Sequence, residues 1–263
     1  MADTAYLIAN ALRTIVGSDK RKQPTSAIIA AAGSSDRMGN GGSLSKQHQL
    51  VAGIPVLVRS LLAFESCGFI SEIVVAAREG EIPLIENYRK EYNITKLKKI
   101  VTGGPTRQES VLRGLEATDP GAKYIAIHDG ARCLVTVEMI ERVCMAAYRY
   151  RAAIAACAVP DTVKIAGRHN FIDSTTDRNL VWLAQTPQVF YATLYRAAAY
   201  SAREDGFSAT DDSQLVERIQ NPVRLVDCGR ENIKITTPED IILAEAILIA
   251  RKKTKNPAGE ATV

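Results

Sequence analysis

A loop of small residues bounded by two cations is the part of the chain that is best suited to chemistry. Residues 27–30 form an apolar run that predicts a buried strand, and residues 31–33, Ala-Ala-Gly, follow it directly. Arg37 and Lys46 come next. Small side chains let backbone N–H groups approach a polyphosphate, and fixed cations stabilise the charge that grows during transfer. The segment indicates a nucleotidyltransferase, although an ordinary strand-to-helix loop with solvated charges explains it equally well.

Two better-known phosphate-binding loops do not fit this segment. Lys46 lies between Ser45 and Gln47, so the Gly-Lys-Ser/Thr end of a Walker loop is missing. Gly33 and Gly39 do not supply the three spaced glycines of a dinucleotide fingerprint. The sequence therefore disfavours a hydride-transfer enzyme.

The composition favours a cytoplasmic enzyme that acts on a small anionic substrate. The chain has 263 residues, and its net charge of +4 comes from scattered basic residues, which argues against nucleic acid as the main partner. The five cysteines form no Cys-x-x-Cys pair and histidine is scarce, so a zinc site and a disulfide framework are disfavoured. No apolar stretch approaches the roughly 18 residues that a membrane span requires, so we expect no membrane partner.

Strand-like and helix-like segments alternate along most of the chain, which predicts an α/β fold. This alternation is typical of a mostly parallel sheet with helices on both faces, in which ligands bind outside the carboxyl ends of the strands. The predicted strands cover residues 27–30, 73–77, 97–101, 124–127, 154–159 and 224–226. The predicted helices cover residues 56–65, 81–92, 107–116, 137–151, 193–203 and 238 to about 249.

Three segments lie outside this alternation. Residues 1–24 form an amino-terminal extension, helical or flexible, and residues 253–263 are predicted to be a flexible tail. The nucleotidyltransferase domain is expected to span residues 25–252. Within it, residues 160–186 contain two extended stretches around the turn at 166–170, which predicts a projecting β-hairpin arm. A second subunit can cover the edges of such an arm, as can the protein's own sheet.

Other strand ends carry residues that suit a metal ion and a nucleobase. Asp129 follows the strand at 124–127, where a carboxylate can bind Mg²⁺ together with substrate phosphates, or can equally pair with Arg132. Gly104 and Ser110 lie where a glycine turn leads into a helix. They can present hydrogen-bonding groups to a base, although a capped helix start explains them equally well. The polar residues 182–188 predict a turn.

Eight short motifs follow one another along the chain. They are Ala-Ala-Gly…Arg-Met…Lys-Gln at 31–47, Gly-Gly…Arg-Gln-Glu-Ser-Val at 103–111, His-Asp-Gly-Ala-Arg at 128–132, Asp-Thr-Val-Lys at 161–164, Asp-Arg-Asn-Leu at 177–180, Gln-Thr-Pro-Gln-Val-Phe at 185–190, Thr-Asp-Asp at 210–212 and Asn-Ile-Lys-Ile-Thr at 232–236. In this order they resemble the 2-C-methyl-D-erythritol 4-phosphate cytidylyltransferase family of the non-mevalonate isoprenoid pathway. The resemblance extends from about Ser26 to Arg251.

The resemblance implies a Rossmann-like nucleotidyltransferase fold and a reaction between CTP and methylerythritol phosphate that releases pyrophosphate. It also implies Mg²⁺ as the cofactor and a homodimer in which the hairpin arm reaches the neighbouring subunit's site. By resemblance the catalytic residues are Arg37 and Lys46, and the nucleotide-binding residues are Ala31, Ala32, Gly33, Gly104, Ser110 and Arg132. The substrate-binding residues are Thr162, Arg178 and Lys234, and the metal ligands are Asp129 and Glu231.

The chain departs from the usual pattern of this family around its first loop. Ser35 stands where the family commonly has glycine, and the loop at residues 39–45 is longer than usual. Pro105 stands where an acidic residue is often found near the base. Two alternatives therefore stay open, a sister enzyme that acts on ribitol 5-phosphate and a nucleotide-binding homologue that has lost catalysis.

Overall fold

The computed structural model describes residues 23–33 and 45–255 of the chain. Its strands are β1 Thr25–Ala31, β2 Leu50–Val51, β3 Ile54–Pro55, β4 Ile70–Ala77, β5 Leu97–Thr102, β6 Tyr124–Asp129, β7 Ala152–Ala158, β8 Val163–Ala166, β9 Ile172–Thr176, β10 Trp182–Tyr191 and β11 Arg224–Asp227. The helices in the same part of the chain are α1 Val56–Ser66, α2 Ile82–Glu91, α3 Arg107–Ala117, α4 Val137–Tyr150, α5 Ala192–Glu204, α6 Asp212–Arg218 and α7 Pro238–Lys255.

A seven-stranded sheet organises the fold, with the strand order β11-β7-β10-β6-β1-β4-β5. β10 runs antiparallel to both of its neighbours, and the other pairs in the sheet are parallel. The predicted mostly parallel α/β fold is confirmed. Among the described residues, no helix combines the length and the apolar character that crossing a membrane would need.

Helices cover the sheet on both faces because the side chains of its central strand alternate between the two sides. Ile29 of β1 packs with Leu57 and other residues of α1 and α4, whereas Ile28 packs with Val111 of α3 and with residues of α5. α3 approaches β1 closely at Gly114, where a Cβ atom would lie 2.5 Å from Cγ2 of Ile28. This packing holds the carboxyl end of β1 beside the start of α3.

The structure corrects the prediction of a polar turn at residues 182–188, because these residues belong to β10, an interior strand of the sheet. Gln185, Thr186 and Gln188 are buried, and neighbouring groups satisfy their hydrogen bonds. The Gln188 amide, for example, donates to Asp211 and accepts from the backbone N–H of Ser213. The polarity of these residues suggests a turn in the sequence. In the folded protein their polar groups are hydrogen-bonded to other protein groups, so they can occupy a buried strand.

Three further elements differ from the prediction. The short helix α6 and the β2–β3 hairpin were not expected, since neither is long enough to show a clear period. α7 continues past the predicted end near residue 249 to Lys255. Arg251 anchors this extra length, because its guanidinium donates to the carbonyl of Leu134 and to the carboxylate of Glu231.

β8 and β9 form a two-stranded antiparallel sheet of their own, apart from the main sheet. Val163 pairs with Thr176, and the strands are joined through a turn at residues 167–171. The expected role of this hairpin as a dimerisation arm stays a prediction, as do the domain boundaries. The predictions for the extension at residues 1–22, for Arg37 and for residues 256–263 lie outside the described residues.

Candidate active site

A cavity of about 660 Å³ lies at the carboxyl ends of β1, β4 and β6. It is lined by seven of the residues that the sequence analysis predicts for catalysis or for nucleotide, substrate and metal binding. These are Ala32, Gly33, Lys46, Gly104, Ser110, Asp129 and Lys234. A second cavity of about 260 Å³ adjoins it through the shared residues Arg107, Asp129 and Lys234, and Arg132 lines this second space. The site thus has two compartments that meet at Asp129.

Asp129 is the centre of a cluster of cations. Its Oδ1 atom accepts from Nε of Arg107 at 2.9 Å, and its Oδ2 atom lies 2.8 Å from Nζ of Lys234 and 3.9 Å from Nε of Arg132. Burial by itself would raise the pKa of Asp129, but Arg107 and Lys234 outweigh it and hold that pKa well below its usual range. The carboxylate therefore stays ionised and orients cations toward both compartments.

A chain of hydrogen bonds fixes the turn that carries Asp129. The backbone N–H of Asp129 donates to Oγ1 of Thr186 at 3.0 Å, and this hydroxyl lies 3.0 Å from Nδ1 of His128. Nε2 of His128 lies 3.3 Å from the carbonyl of Arg132. Since a carbonyl can only accept, the proton sits on Nε2 and Nδ1 accepts from Thr186. Burial lowers the pKa of His128 to about 3, so the ring is neutral.

The segment before α7 brings Lys234 to Asp129. Nη1 of Arg132 donates to the carbonyl of Asn232 at 2.7 Å, and the backbone N–H of Ile235 donates to the carbonyl of Ala131 at 2.8 Å. The buried Asn232 side chain also donates to the carbonyl of Thr186 at 2.8 Å. These bonds join three distant parts of the chain, and they place the Lys234 ammonium at the boundary of the two cavities.

The glycine turn forms the capped helix start that the sequence allowed, and it borders the larger cavity. Thr106 and Glu109 form a capping box at the start of α3. Oγ of Ser110 is hydrogen-bonded to the N–H of Gly104 at 3.1 Å, and both residues line the larger cavity. Gly103 is required here, because a Cβ atom would lie 2.3 Å from Cβ of Ala32. The capped helix start therefore also forms one wall of the cavity.

Some predicted site residues lie elsewhere. The side chain of Ala31 is fully buried in the core, and the predicted contact of its main chain with the nucleotide stays a prediction. Thr162 and Arg178 are exposed at the hairpin, where Nη1 of Arg178 donates to the carbonyl of Pro160 at 2.9 Å. Glu231 accepts from Arg251 at 2.8 Å and is not among the described residues that line either cavity.

Arg107 lines both cavities and the buried Asp212 supports it, but both residues were absent from the predicted set. Nη1 of Arg107 lies 2.8 Å from Oδ2 of Asp212, so this arginine bridges two carboxylates. Burial alone would lower the pKa of Arg107, but Asp212 and Asp129 raise it above its usual value. Both residues occur in quoted motifs, so position within a motif was the signal that could have identified them.

The described residues include no group of three or more His, Cys, Asp or Glu side chains that could enclose a metal ion. Of the carboxylates in the described part of the chain, Asp129 is the one that lines both cavities, and Asp211 lines the smaller cavity as well. Its two oxygens each contact a cation, yet a carboxylate oxygen has a second lone pair for another partner. This donor set fits Mg²⁺, which is commonly bound by one or two carboxylates together with substrate phosphates and water.

Comparisons with known proteins identify one family for this chain. The family model described as "2-C-methyl-D-erythritol 4-phosphate cytidylyltransferase" matches residues 25–250. A protein of that name from Caldanaerobacter subterraneus is 46% identical over 224 residues, which cover 85% of this chain and 98% of that protein. Another from Syntrophus aciditrophicus is 43% identical over 223 residues, covering 84% and 94%.

Solved structures give the same result. The 4-diphosphocytidyl-2C-methyl-D-erythritol synthase from Anaerococcus prevotii superimposes with a TM-score of 0.78 at 34% identity, covering 86% of this chain and 96% of that one. The 2-C-methyl-D-erythritol 4-phosphate cytidylyltransferase from Thermus thermophilus has a TM-score of 0.70 at 35% identity, covering 85% and 98%. This chain therefore belongs to the 2-C-methyl-D-erythritol 4-phosphate cytidylyltransferase family.

Proposed function

We propose that the protein transfers CMP from CTP to 2-C-methyl-D-erythritol 4-phosphate, which forms 4-diphosphocytidyl-2-C-methyl-D-erythritol and releases pyrophosphate. The observation that carries this proposal is the pair of adjoining cavities that share Arg107, Asp129 and Lys234. A nucleotidyl transfer needs one space for the nucleotide and one for the acceptor, with cations where they meet. The family membership supports the same reaction.

CTP occupies the larger cavity in this proposal. The base lies toward Gly104 and Ser110, which present backbone and hydroxyl groups, and the triphosphate lies toward Lys46. Arg37, by resemblance, assists Lys46. The phosphate groups gain negative charge on their oxygens as the reaction proceeds, so fixed cations stabilise the transition state.

The acceptor phosphate occupies the smaller cavity, between Arg132 and Lys234. One of its oxygens attacks the α-phosphorus of CTP, the bond from that phosphorus to the bridging oxygen breaks, and pyrophosphate leaves with the electron pair. A phosphate monoester is largely ionised near neutral pH, so the attacking oxygen needs no base to remove a proton. The residues therefore act through position and charge, without a covalent enzyme intermediate.

Asp129 would bind Mg²⁺ beside the triphosphate, and the carboxylate fits this role as the donor that both cavities share. When bound, the ion supplies positive charge that stabilises the transferring group and the leaving pyrophosphate. Asp129 also keeps Arg107 and Lys234 directed into the site. Glu231, proposed by resemblance as a second ligand, contacts Arg251 and lines neither cavity, so it would have to move to reach the same ion.

We also propose that the protein is a homodimer whose hairpin carries Thr162 and Arg178 to the partner's acceptor site. Large apolar side chains are exposed along this region, including Phe171 at 76% and Leu180 at 79%. Exposed apolar surface of this kind is typical of interaction sites. A cytoplasmic location completes the proposal and is supported by the cysteine pattern of the sequence; cell fractionation would test it.

The deciding experiment measures pyrophosphate release from CTP and Mg²⁺ with two acceptors in separate reactions. We expect release with methylerythritol 4-phosphate and none above background with ribitol 5-phosphate. Release only with ribitol 5-phosphate would move the chain to the sister activity. A folded protein that is inactive with both acceptors would contradict the proposal and favour a nucleotide-binding homologue.

A further inference from the structure

The short connection between β4 and α2 contacts the chain on both sides of residues 34–44. Nη2 of Arg78 donates to the carbonyl of Gly33 at 2.9 Å. Oε1 of Glu81 accepts from the backbone N–H of Ser45 at 3.0 Å. Nη1 of Arg78 lies 3.9 Å from that same oxygen. Arg78 and Glu81 together thus link Gly33 to Ser45. We call this pair the Arg78–Glu81 clip.

Glu81, the acidic residue of this clip, is buried, so the loss of its contacts would leave a charge without a partner in the interior. The Glu81 side chain is only 5% exposed, and its Oε2 atom lies 3.3 Å from Nε2 of His48, which is 2% exposed. Burial alone would raise the pKa of Glu81, but the adjacent His48 ring and the hydrogen bond from the Ser45 N–H lower it. Burying an ionised carboxylate is costly unless it is paired, so each of these partners is held to it.

The partners of the clip border the nucleotide cavity. Lys46 lies between Ser45 and His48, the two residues that Glu81 holds, in a single helical turn at Lys46–His48. Gly33, Lys46 and Arg78 all line the larger cavity. The clip therefore restrains the distance between Gly33, which follows β1, and Lys46, which lines the same cavity.

We propose that Arg78 and Glu81 are positioning residues that set Lys46 against the Gly33 wall for binding of the CTP triphosphate. This inference rests on the function proposed above. Neither residue needs to touch the reacting atoms, because the effect passes through the Ser45 backbone and the His48 ring. A displacement of about 1 Å in a catalytic group can cost about 100-fold in rate, so a small change at the clip is measurable.

The test compares Glu81→Ala and Glu81→Gln with the parent protein. Glu81→Gln keeps an oxygen that can accept from the Ser45 N–H but removes the negative charge between Arg78 and His48. This milder variant is the test if Glu81→Ala does not fold. The matched control is Glu86→Gln, which breaks the Arg89–Glu86 pair of the same spacing, 3.4 Å apart and exposed on α2. Thermal unfolding verifies that each variant is folded.

Two measurements are made on each variant. The first is the amide exchange rate of Ser45 in the ligand-free protein, which we expect to rise about tenfold in Glu81→Ala and to stay unchanged in Glu86→Gln. The second is the Kd for CTP, which we expect to rise about tenfold in Glu81→Ala and less in Glu81→Gln, while the acceptor KM stays within about twofold. A general loss of structure would change both substrates alike.

An unchanged Ser45 exchange rate in folded Glu81→Ala would overturn the proposal, because the contact would then hold nothing in place. Faster exchange with an unchanged Kd for CTP would overturn it as well, since Lys46 would not depend on the clip. A parent protein that fails to bind CTP would instead contradict the proposed function. The exchange rate of Ser45 would still show whether the clip exists.

Discussion

Asp129 and Lys234 are 105 positions apart in the chain, and their side chains meet at 2.8 Å between the two cavities. β6 delivers the carboxylate, and the segment before α7 delivers the ammonium. Lys234 reaches this carboxylate because contacts of Asn232 and Ala131 hold its segment against the end of β6. The charge balance of the site therefore depends on a long-range contact of the fold.

Replacing Lys234 by alanine tests whether this contact serves catalysis. We expect kcat/KM to fall about 100-fold, because the variant loses the cation that borders both substrates. Steady-state kinetics with each substrate varied in turn measures the change. Lys98→Ala is the control, since Lys98 is an exposed lysine whose ammonium contacts only the carbonyl of Thr95 among the described residues. Activity of Lys234→Ala within about twofold of the parent would contradict the assignment.

The parts of the site that follow strand ends could be predicted from the sequence. Gly33 and Asp129 each follow a predicted buried strand, at 27–30 and 124–127, by two or three residues, and parallel strands bring such ends to one edge. Lys46 was selected as a cation that follows the first loop, but neither Lys46 nor Lys234 lies at a strand end. Their positions depend on contacts with distant segments, and their specific roles were assigned from their place in ordered motifs.

Arg107 shows why the rest could not be derived locally. At the start of α3 it resembles any polar first-turn residue, and the capping box beside it explains its neighbours. Only the folded chain brings Asp129 and Asp212 to within 3 Å of its guanidinium, at 2.9 and 2.8 Å. The same reason applies to β10. The groups that satisfy the hydrogen bonds of the buried Gln188 come from the distant α6 region.

Lys46→Ala addresses the nucleotide side of the mechanism. The lysine lines the larger cavity and is 9% exposed, so its removal takes positive charge away from the place proposed for the triphosphate. We expect kcat to fall by about 100-fold or more, with the protein still folded by circular dichroism. Lys46→Arg is expected to recover part of the loss. Near-parental turnover in Lys46→Ala would remove this residue from the proposed mechanism.

The hairpin provides a test of the proposed dimer. Phe171→Ser replaces a side chain that is 76% exposed in the single chain, so the fold of the monomer should tolerate it. We expect sedimentation to show a shift from dimer toward monomer, together with lower activity if Arg178 serves the partner's site. Met145→Ser, at an exposed apolar residue of α4, is the control and should leave the dimer intact. A parent protein that sediments as a monomer would rule out this part of the proposal.

His128 makes the stability of the protein depend on pH in a defined window. The pKa of this buried ring is lowered to about 3 from the ordinary value of 6.5, so below pH 6.5 the unfolded chain binds a proton that the folded chain does not. Stability from this group is therefore complete above about pH 6.5 and is lost as the pH falls toward 3.

The free energy of unfolding, measured by urea denaturation at about pH 6.5 and 4.5, should fall by about 2 kcal/mol more in the parent than in His128→Asn. The amide oxygen of asparagine can still accept from Thr186, but the side chain does not titrate. His169→Asn, at an exposed hairpin position, should keep the parental dependence. Equal slopes for the parent and His128→Asn would show that the ring becomes charged without cost in the folded protein, contrary to its full burial.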